Sequence, residues 1–154
     1  MAKRGNRSGD EVARTAAAIS ENYRAFQYRF VQFLAEHLAD CSRTFGGDLQ
    51  QMLVLAIIGQ VALNARARDP KSDVDGGVSI TASRISDVTG IPRETVRRKL
   101  RALEDKKWIV RQTDSSWRLA FEGDQAPARR DLAELDQRGI ARLAALLTTL
   151  RPLL

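Results

Sequence analysis

The side chains best suited to recognise another molecule lie in one short basic run, residues 93–101. Arginine offers a planar fork of N–H donors that fits phosphate oxygens or the edge of guanine, and glutamate can accept from cytosine. In a helix, the apolar positions of this run and its continuation share one side: Val96, Leu100 and Leu103. The polar positions share the other side: Glu94, Arg98 and Arg101, flanked by Arg93 and Arg97. The pattern predicts a helix with one buried apolar face and one exposed face that contacts a polyanion.

The net charge of the chain is concentrated around this run. The 154 residues carry a formal net charge of +6, and residues 81–121 contain ten basic and five acidic side chains, a net charge of +5. A local excess of this kind is typical of polyanion binders, although an ordinary solvated basic surface has the same composition. The elements that surround the run are therefore needed to decide between a polyanion-binding site and an ordinary basic surface.

Other kinds of chemistry have little support in the sequence. The chain has one histidine and neither a phosphate-binding glycine loop nor a nucleophile motif, so we expect no enzyme and no cofactor. His37 and Cys41 have a helical spacing that could hold a metal, but two ligands are too few for structural zinc, and packing is favoured for His37. One cysteine and the lack of a signal peptide or membrane-span pattern indicate a cytoplasmic protein without membrane contact.

The elements on the N-terminal side follow from hydrophobic periodicity and composition. We expect residues 1–15 to form a flexible basic tail and residues 16–41 to form a helix with one apolar stripe. The pattern of residues 49–65 predicts a helix that is apolar on all sides and therefore buried. The composition of residues 66–77 predicts an exposed loop. Residues 16–77 thus precede the basic segment as two helices and a loop.

Residues 78–122 predict two helices and a β-hairpin. A short strand at 78–80 precedes a helix capped by Thr81, and Gly90 makes the turn into the helix that carries the basic run. Alternating segments at 108–112 and 117–121 predict a hairpin. The two helices and the turn are expected to share a small core: Ile85, Val88, Ile91, Val96, Leu100 and Leu103. A last helix is predicted over residues 128–150, interrupted by Gly139.

The segment RISDVTGIPRETVRRKLRALEDKKWIVR, residues 84–111, resembles the winged helix-turn-helix of the MarR and Crp/Fnr classes of bacterial regulator. The recognition-helix pattern of Crp-type proteins is matched by Arg93, Glu94, Thr95, Val96 and Arg98. The resemblance implies that Arg93, Glu94 and Arg98 contact base edges and that Thr95 contacts phosphate. A glycine usually stands where this chain has Lys107, so we expect a more strained turn there.

The order of elements is similar to that of MarR proteins, because helices stand where Crp proteins have a cyclic-nucleotide β-roll. The expected fold is mainly α with a small β-hairpin wing, a winged helix-turn-helix flanked by N- and C-terminal dimerisation helices. The implied partners are double-stranded DNA and a second copy of the chain, bound through residues 16–41 and 128–150. Since MarR proteins can bind small aromatics at the dimer junction, an effector pocket could be lined by Tyr23, Phe26, Phe30 and Phe33, with packing the favoured alternative.

The predicted DNA contacts come from both helices and the hairpin. Arg111, Ser115, Ser116 and Arg118 suit phosphate or minor-groove contact, or belong to an ordinary exposed hairpin. Simple capping explains Thr81 as well as a phosphate contact does. The predicted set is Thr81, Ser83, Arg93, Glu94, Thr95, Arg97, Arg98, Arg101, Arg111, Ser115, Ser116 and Arg118. The function expected is a homodimeric, sequence-specific transcriptional regulator on a palindromic site. A non-regulatory plasmid, phage or replication protein and a protein-interaction winged helix are the alternatives.

Overall fold

The computed structural model describes residues 4–68 and 78–154, and most of the predicted loop at 66–77 lies outside this range. The fold is mainly helical with one two-stranded antiparallel sheet, which confirms the expected mainly α fold with a small hairpin. The helices are α1 (Arg4–Glu21), α2 (Tyr23–Thr44), α3 (Leu49–Arg68), α4 (Ala82–Thr89), α5 (Arg93–Asp105), α6 (Pro127–Asp131) and α7 (Ala133–Leu150). The strands are β1 (Ile109–Arg111) and β2 (Trp117–Leu119), and a 3-10 turn (Arg151–Leu153) follows α7.

The chain divides into two units, which are considered separately. Residues 41–134 form the central unit, and residues 1–40 with 135–154 form the terminal unit. The central unit contains α3, α4, α5, the hairpin and α6. The terminal unit contains α1 and most of α2 and α7.

The core of the central unit is built where α3, α4, α5 and the hairpin pack together. Of the expected small core, five residues are buried: Ile85, Ile91, Val96, Leu100 and Leu103. The prediction for Val88 is wrong, because its side chain is 52% exposed. Thr89 takes the inward position beside Ile85 and donates to the Ile85 carbonyl at 2.7 Å, so the neighbouring Val88 faces solvent.

Helix α3 is buried on one side only. Val54, Leu55 and Ile58 are buried, whereas Leu53 and Leu63 are 38% and 69% exposed. The expected burial on all sides is therefore wrong for this chain, because the central unit covers only one face of α3. A helix without a charged residue between positions 49 and 65 thus keeps an uncharged outer face, on which Leu53 and Leu63 lie among amide side chains.

The hairpin has the expected location, and one further residue, Ile80, pairs with β2 as a single-residue bridge. Strand β1 pairs with β2 in the register Ile109↔Leu119, Val110↔Arg118 and Arg111↔Trp117. Ile80 and Trp117 exchange both backbone N–H···O bonds at 2.8 Å. The short strand predicted at residues 78–80 is thus reduced to a single bridge that joins the start of α4 to β2.

The turn from α5 into the hairpin places Lys107 in the left-handed region, with φ 62°. The Trp108 N–H donates to the Leu103 carbonyl at 3.2 Å, and the Lys107 N–H donates to the Glu104 carbonyl at 2.8 Å. This pair of bonds closes a helix end that normally has glycine at the left-handed position. The expected strain at Lys107 is confirmed.

The terminal unit begins with a helix where a flexible tail was expected. Helix α1 starts at Arg4, so the prediction for residues 1–15 is wrong for the described residues 4–15. Alanine is the strongest helix former, and Ala13 and residues 16–18 supply four alanines to this segment. The helix predicted over residues 16–41 is divided at Asn22 into α1 and α2.

The predicted C-terminal helix is also divided. Leu132 separates α6 from α7, with φ −100° and ψ 12°. Gly139 lies inside α7, where it leaves a gap in the leucine stripe without interrupting the helix. A Cβ at Gly139 would lie 3.2 Å from the Cε1 atom of His37, so the glycine allows α7 to approach α2 closely.

One buried carboxylate joins α2 to α7 in the terminal unit. Asp40 accepts from Arg138 Nε at 2.9 Å and Nη2 at 3.0 Å, and Arg142 Nη2 lies 2.7 Å from the same carboxylate. The hydrogen bonds from Arg138 and Arg142 outweigh burial and hold the pKa of Asp40 well below its ordinary value. The apolar residues beside this carboxylate contribute little, because among the described residues of this unit only Asp40 and Leu150 are buried.

Candidate nucleic-acid interface

Helix α5 separates its apolar and polar residues as the sequence predicts. Val96, Leu100 and Leu103 are fully buried. The opposite side of the helix is exposed and is called here the arginine face: Arg93, Glu94, Arg97, Arg98 and Arg101. Four guanidinium groups and one carboxylate thus share one side of a helix whose other side is fixed in the core.

Two members of the arginine face pair with each other. Arg97 Nη1 and Glu94 Oε1 are 2.5 Å apart, and their side chains are 55% and 80% exposed. An exposed pair of this kind contributes about 0–1 kcal/mol, because water screens both charges. Both side chains can therefore exchange this contact for one with a ligand at little cost.

The turn between α4 and α5 is held by side chains that sequence reasoning missed. Ser86 Oγ donates to the Ile91 carbonyl at 2.7 Å, and Thr89 Oγ1 accepts from the Ile91 N–H at 3.2 Å. Gly90 closes α4 with φ 71°. Serine and threonine commonly bond to nearby backbone, so their positions in the last turn of α4, just before a glycine, are a signal that could have been used.

Thr81 caps α4, as the sequence predicts. Its hydroxyl accepts from the Arg84 N–H at 3.2 Å. Ser83 and Thr95 are half-buried, on the first turns of α4 and α5. Arg84 is exposed beside Ser83 and is a further cation that the predicted set does not include.

The hairpin holds one of its arginines against an aromatic ring. The Arg111 guanidinium lies 5.9 Å from the centre of the Trp117 ring and donates to Ser115 Oγ at 3.2 Å. Both Arg111 and Ser115 are exposed. Arg118 is half-buried on the other face of the sheet, and its Nε has no hydrogen-bond partner within the described part of the chain.

Ser116 is not available as a phosphate contact, which corrects the prediction. Its side chain is buried, and its hydroxyl is hydrogen-bonded to Ser79 Oγ at 2.7 Å and to Asp114. Asp114 also accepts from the Ser116 N–H at 2.9 Å, and these bonds lower the pKa of the Asp114 carboxyl. The aspartate therefore folds the hairpin turn inward at Ser116 and leaves Ser115 outside, with φ 65°.

No protein family, curated protein or solved structure matches the chain. The chemistry of this surface therefore has to be inferred from its own geometry. Within residues 4–68 and 78–154, no three histidine, cysteine, aspartate or glutamate side chains are grouped as metal ligands would be. In the same ranges no single helix is long and apolar enough to cross a membrane, and only α2 and most of α3, as a bent pair, reach that length and composition.

One lysine of the basic run does not belong to the arginine face. The side chain of Lys99 is 14% exposed, and its Nζ lies 2.5 Å from Oδ2 of Asp48, at the start of α3. Arg98 and Leu100, its neighbours in the chain, are exposed and buried respectively. The sequence places Lys99 among the arginines, whereas the structure places it on the flank of α5 that contacts α3.

Proposed function

We propose that this protein is a sequence-specific DNA-binding transcriptional regulator, with a winged helix-turn-helix in residues 78–122 and α5 as its recognition helix. The observation that supports this most directly is the arginine face. Its exposed cations lie opposite three apolar side chains that are completely buried. The helix is therefore anchored in the core on one side while its polar side remains open to a ligand.

Duplex DNA is the polyanion that fits this arrangement best. An α-helix with side chains is about 10–12 Å across, and the major groove of B-DNA is about 12 Å wide. Arginine can donate two hydrogen bonds to O6 and N7 of guanine, and glutamate can accept from the cytosine amino group. In the proposed complex Arg93, Glu94 and Arg98 contact base edges, while Thr95, Arg97 and Arg101 contact base edges or phosphates.

The hairpin is proposed as the wing that contacts the DNA backbone. Arg111 and Ser115 are exposed and lie within hydrogen-bond distance of each other, so they can share one phosphate. Stacking on Trp117 restricts the Arg111 side chain before any ligand binds. Thr81, Ser83 and Arg118 are secondary candidates, because the first caps its helix and the other two are half-buried.

A second copy of the chain is the proposed protein partner. Helix α2 leaves an uncharged stripe exposed: Tyr23, Phe30, Val31, Leu34 and Leu38. Helix α7 leaves a second stripe exposed: Ile140, Leu143 and Leu147. A unit with one buried apolar residue gains stability by burying such stripes, and a twofold dimer would present two recognition helices to a palindromic site.

The first test is selection of bound sites from a random duplex pool, followed by titration of the selected site at several salt concentrations. The expected result is a palindromic site whose affinity falls steeply as salt is raised, because bound phosphates release counterions. A chain that binds no duplex, or whose affinity does not depend on salt, would be a protein-interaction module instead. Binding without any preferred sequence would favour the non-regulatory alternative.

The second test is Arg98→Ala on the selected site. The expected cost is about 1–3 kcal/mol with relaxed preference at one base pair of each half-site, because a bidentate base contact is lost. Arg129→Ala is the matched control, since Arg129 is an exposed arginine on α6 outside the arginine face. If Arg98→Ala weakens every sequence equally, Arg98 contacts phosphate and the assignment of its role is wrong.

A further inference from the structure

Asp48 makes two structural contacts, one through each of its carboxylate oxygens. Oδ1 accepts from the Gln51 N–H at 2.9 Å and so caps the first turn of α3. Oδ2 binds Lys99 Nζ, 51 residues further along the chain, in the middle of α5. One carboxylate thus connects the beginning of a core helix to the helix that carries the arginine face.

The surroundings of Asp48 favour its charged form. Burial raises the pKa of the Asp48 carboxyl, but the hydrogen bonds from Lys99 and from the Gln51 N–H outweigh it, so the pKa is lowered. The positive charge of Arg98, a member of the arginine face, acts in the same direction. Asp48 is therefore an anion that is held in place by α3 and interacts with two consecutive residues of α5.

The apolar side of α5 alone leaves some freedom of rotation about the helix axis. Burial of Val96, Leu100 and Leu103 favours any arrangement that keeps them from water, because hydrophobic burial has no preferred direction. A charge-assisted hydrogen bond, in contrast, requires a defined distance and angle. The bond between Lys99 and Asp48 supplies such a constraint on one flank of the helix.

We propose that Lys99 is a positioning residue. Its bond to Asp48 sets the rotational orientation of α5 about the helix axis, and this orientation places the arginine face against the DNA bases. This inference rests on the proposed function, and it gives Lys99 a role other than direct contact with DNA. A rotation of α5 about its axis turns every guanidinium group of the arginine face through the same angle, so a small rotation misplaces all of them together. Loss of the bond should reduce discrimination between sequences more than it reduces binding to DNA as such.

The experiment uses the full chain with Asp48→Asn, Lys99→Met and the double substitution. Asparagine caps helices as well as aspartate does, so Asp48→Asn removes the ion pair and keeps the cap of α3. Affinity is measured for the selected duplex and for a random duplex of the same length, at several salt concentrations. Arg129→Met is the matched control, because it removes an exposed positive charge that lies outside the arginine face.

Each single substitution is expected to lower the ratio of specific to random affinity by about tenfold, and the double substitution no further, because both remove one interaction. The slope of log affinity against log salt should stay unchanged in Lys99→Met. A slope that is smaller by about 0.9 would identify Lys99 as a phosphate contact and overturn the proposal. Additive losses in the double substitution would overturn it as well.

Thermal unfolding of the same variants separates this inference from the proposed function. Non-additive losses of stability in Asp48→Asn and Lys99→Met are expected whether or not DNA binds. If the unsubstituted chain binds no duplex, the proposed function fails, and non-additive losses still support the connection between Asp48 and α5. If the losses of stability in the two single variants are additive, Asp48 and Lys99 are not energetically coupled. The inference then fails even if the chain binds DNA.

Discussion

At the scale of single residues, two residues of the central unit, Lys107 and Ser115, have a left-handed backbone conformation that a side chain disfavours. Lys107 has φ 62° at the end of α5, where its backbone N–H closes the helix. The left-handed conformation costs about 1–2 kcal/mol in a residue with a Cβ. This conformational cost arises at the junction between α5 and β1, which joins the two proposed DNA-contacting elements.

Lys107→Gly is expected to raise the free energy of unfolding by about 1 kcal/mol, because glycine adopts the left-handed conformation without strain but loses more chain entropy. The measurement is a urea titration, in which the midpoint should rise while the slope stays constant. Lys107→Ala is the control, since it removes the same charge and keeps the strain. An equal gain in Lys107→Ala would attribute the effect to charge rather than to φ.

At the scale of elements, an ion-pair cluster connects α2 to α7. Asp40 is buried and contacts both Arg138 and Arg142, and Phe33 and His37 of α2 stack on each other at 5.7 Å between ring centres. A carboxylate whose pKa is lowered on folding stabilises the fold at any pH above its ordinary value. That contribution disappears only as the pH falls through the lowered value.

Acid titration should therefore show a specific signature of Asp40. Between neutral pH and the ordinary aspartate pKa, this carboxylate contributes no change in stability, and its contribution falls as the pH is lowered further. Asp40→Asn is expected to be less stable than the unsubstituted chain at pH 7 and to lose less stability in acid than the unsubstituted chain does. The measurement is the free energy of unfolding at a series of pH values. Equal acid dependence in both proteins would contradict the assignment to Asp40.

The sequence predicts α5 well and the connections between elements poorly. The two faces of α5 follow from a helical period that Val96, Leu100 and Leu103 obey over two turns. The exposure of Val88 could not be predicted, because it depends on the hydrogen bonds of Thr89 in a helix of only two turns. The pairing of Lys99 with Asp48 bridges 51 residues, and neither periodicity nor propensity carries information over that distance.

At the scale of the whole molecule, the terminal unit carries the two exposed stripes that are proposed to bind a second copy. Its exposed stripes on α2 and α7 contain no charged side chain, so two copies can meet without repulsion between like charges. The tail expected at residues 1–15 is helical from Arg4 onward, which adds α1 to the helices of this unit. We therefore expect stability and DNA binding to depend on protein concentration.

Leu34→Glu and Leu143→Glu are expected to weaken the proposed dimer by about 100-fold or more, because each leucine is lost twice across a twofold interface. Sedimentation equilibrium without DNA measures this directly. Tyr28→Glu is the matched control, since Tyr28 is 64% exposed on α2 but lies outside the stripe. A chain that is monomeric at all concentrations, or equal effects of all three changes, would contradict the proposed interface.

The aromatic residues divide between the two units in a way that makes the chain its own spectroscopic reporter. Both tryptophans, Trp108 and Trp117, are buried in the central unit beside the cations Lys106 and Arg111. Both tyrosines, Tyr23 and Tyr28, are exposed on α2 of the terminal unit. Tryptophan emission thus follows the hairpin and whatever displaces Arg111, whereas the tyrosines lie on α2, a helix of the proposed dimer contact. Tryptophan emission, excited where tyrosine does not absorb, therefore isolates events at the hairpin in an unlabelled sample.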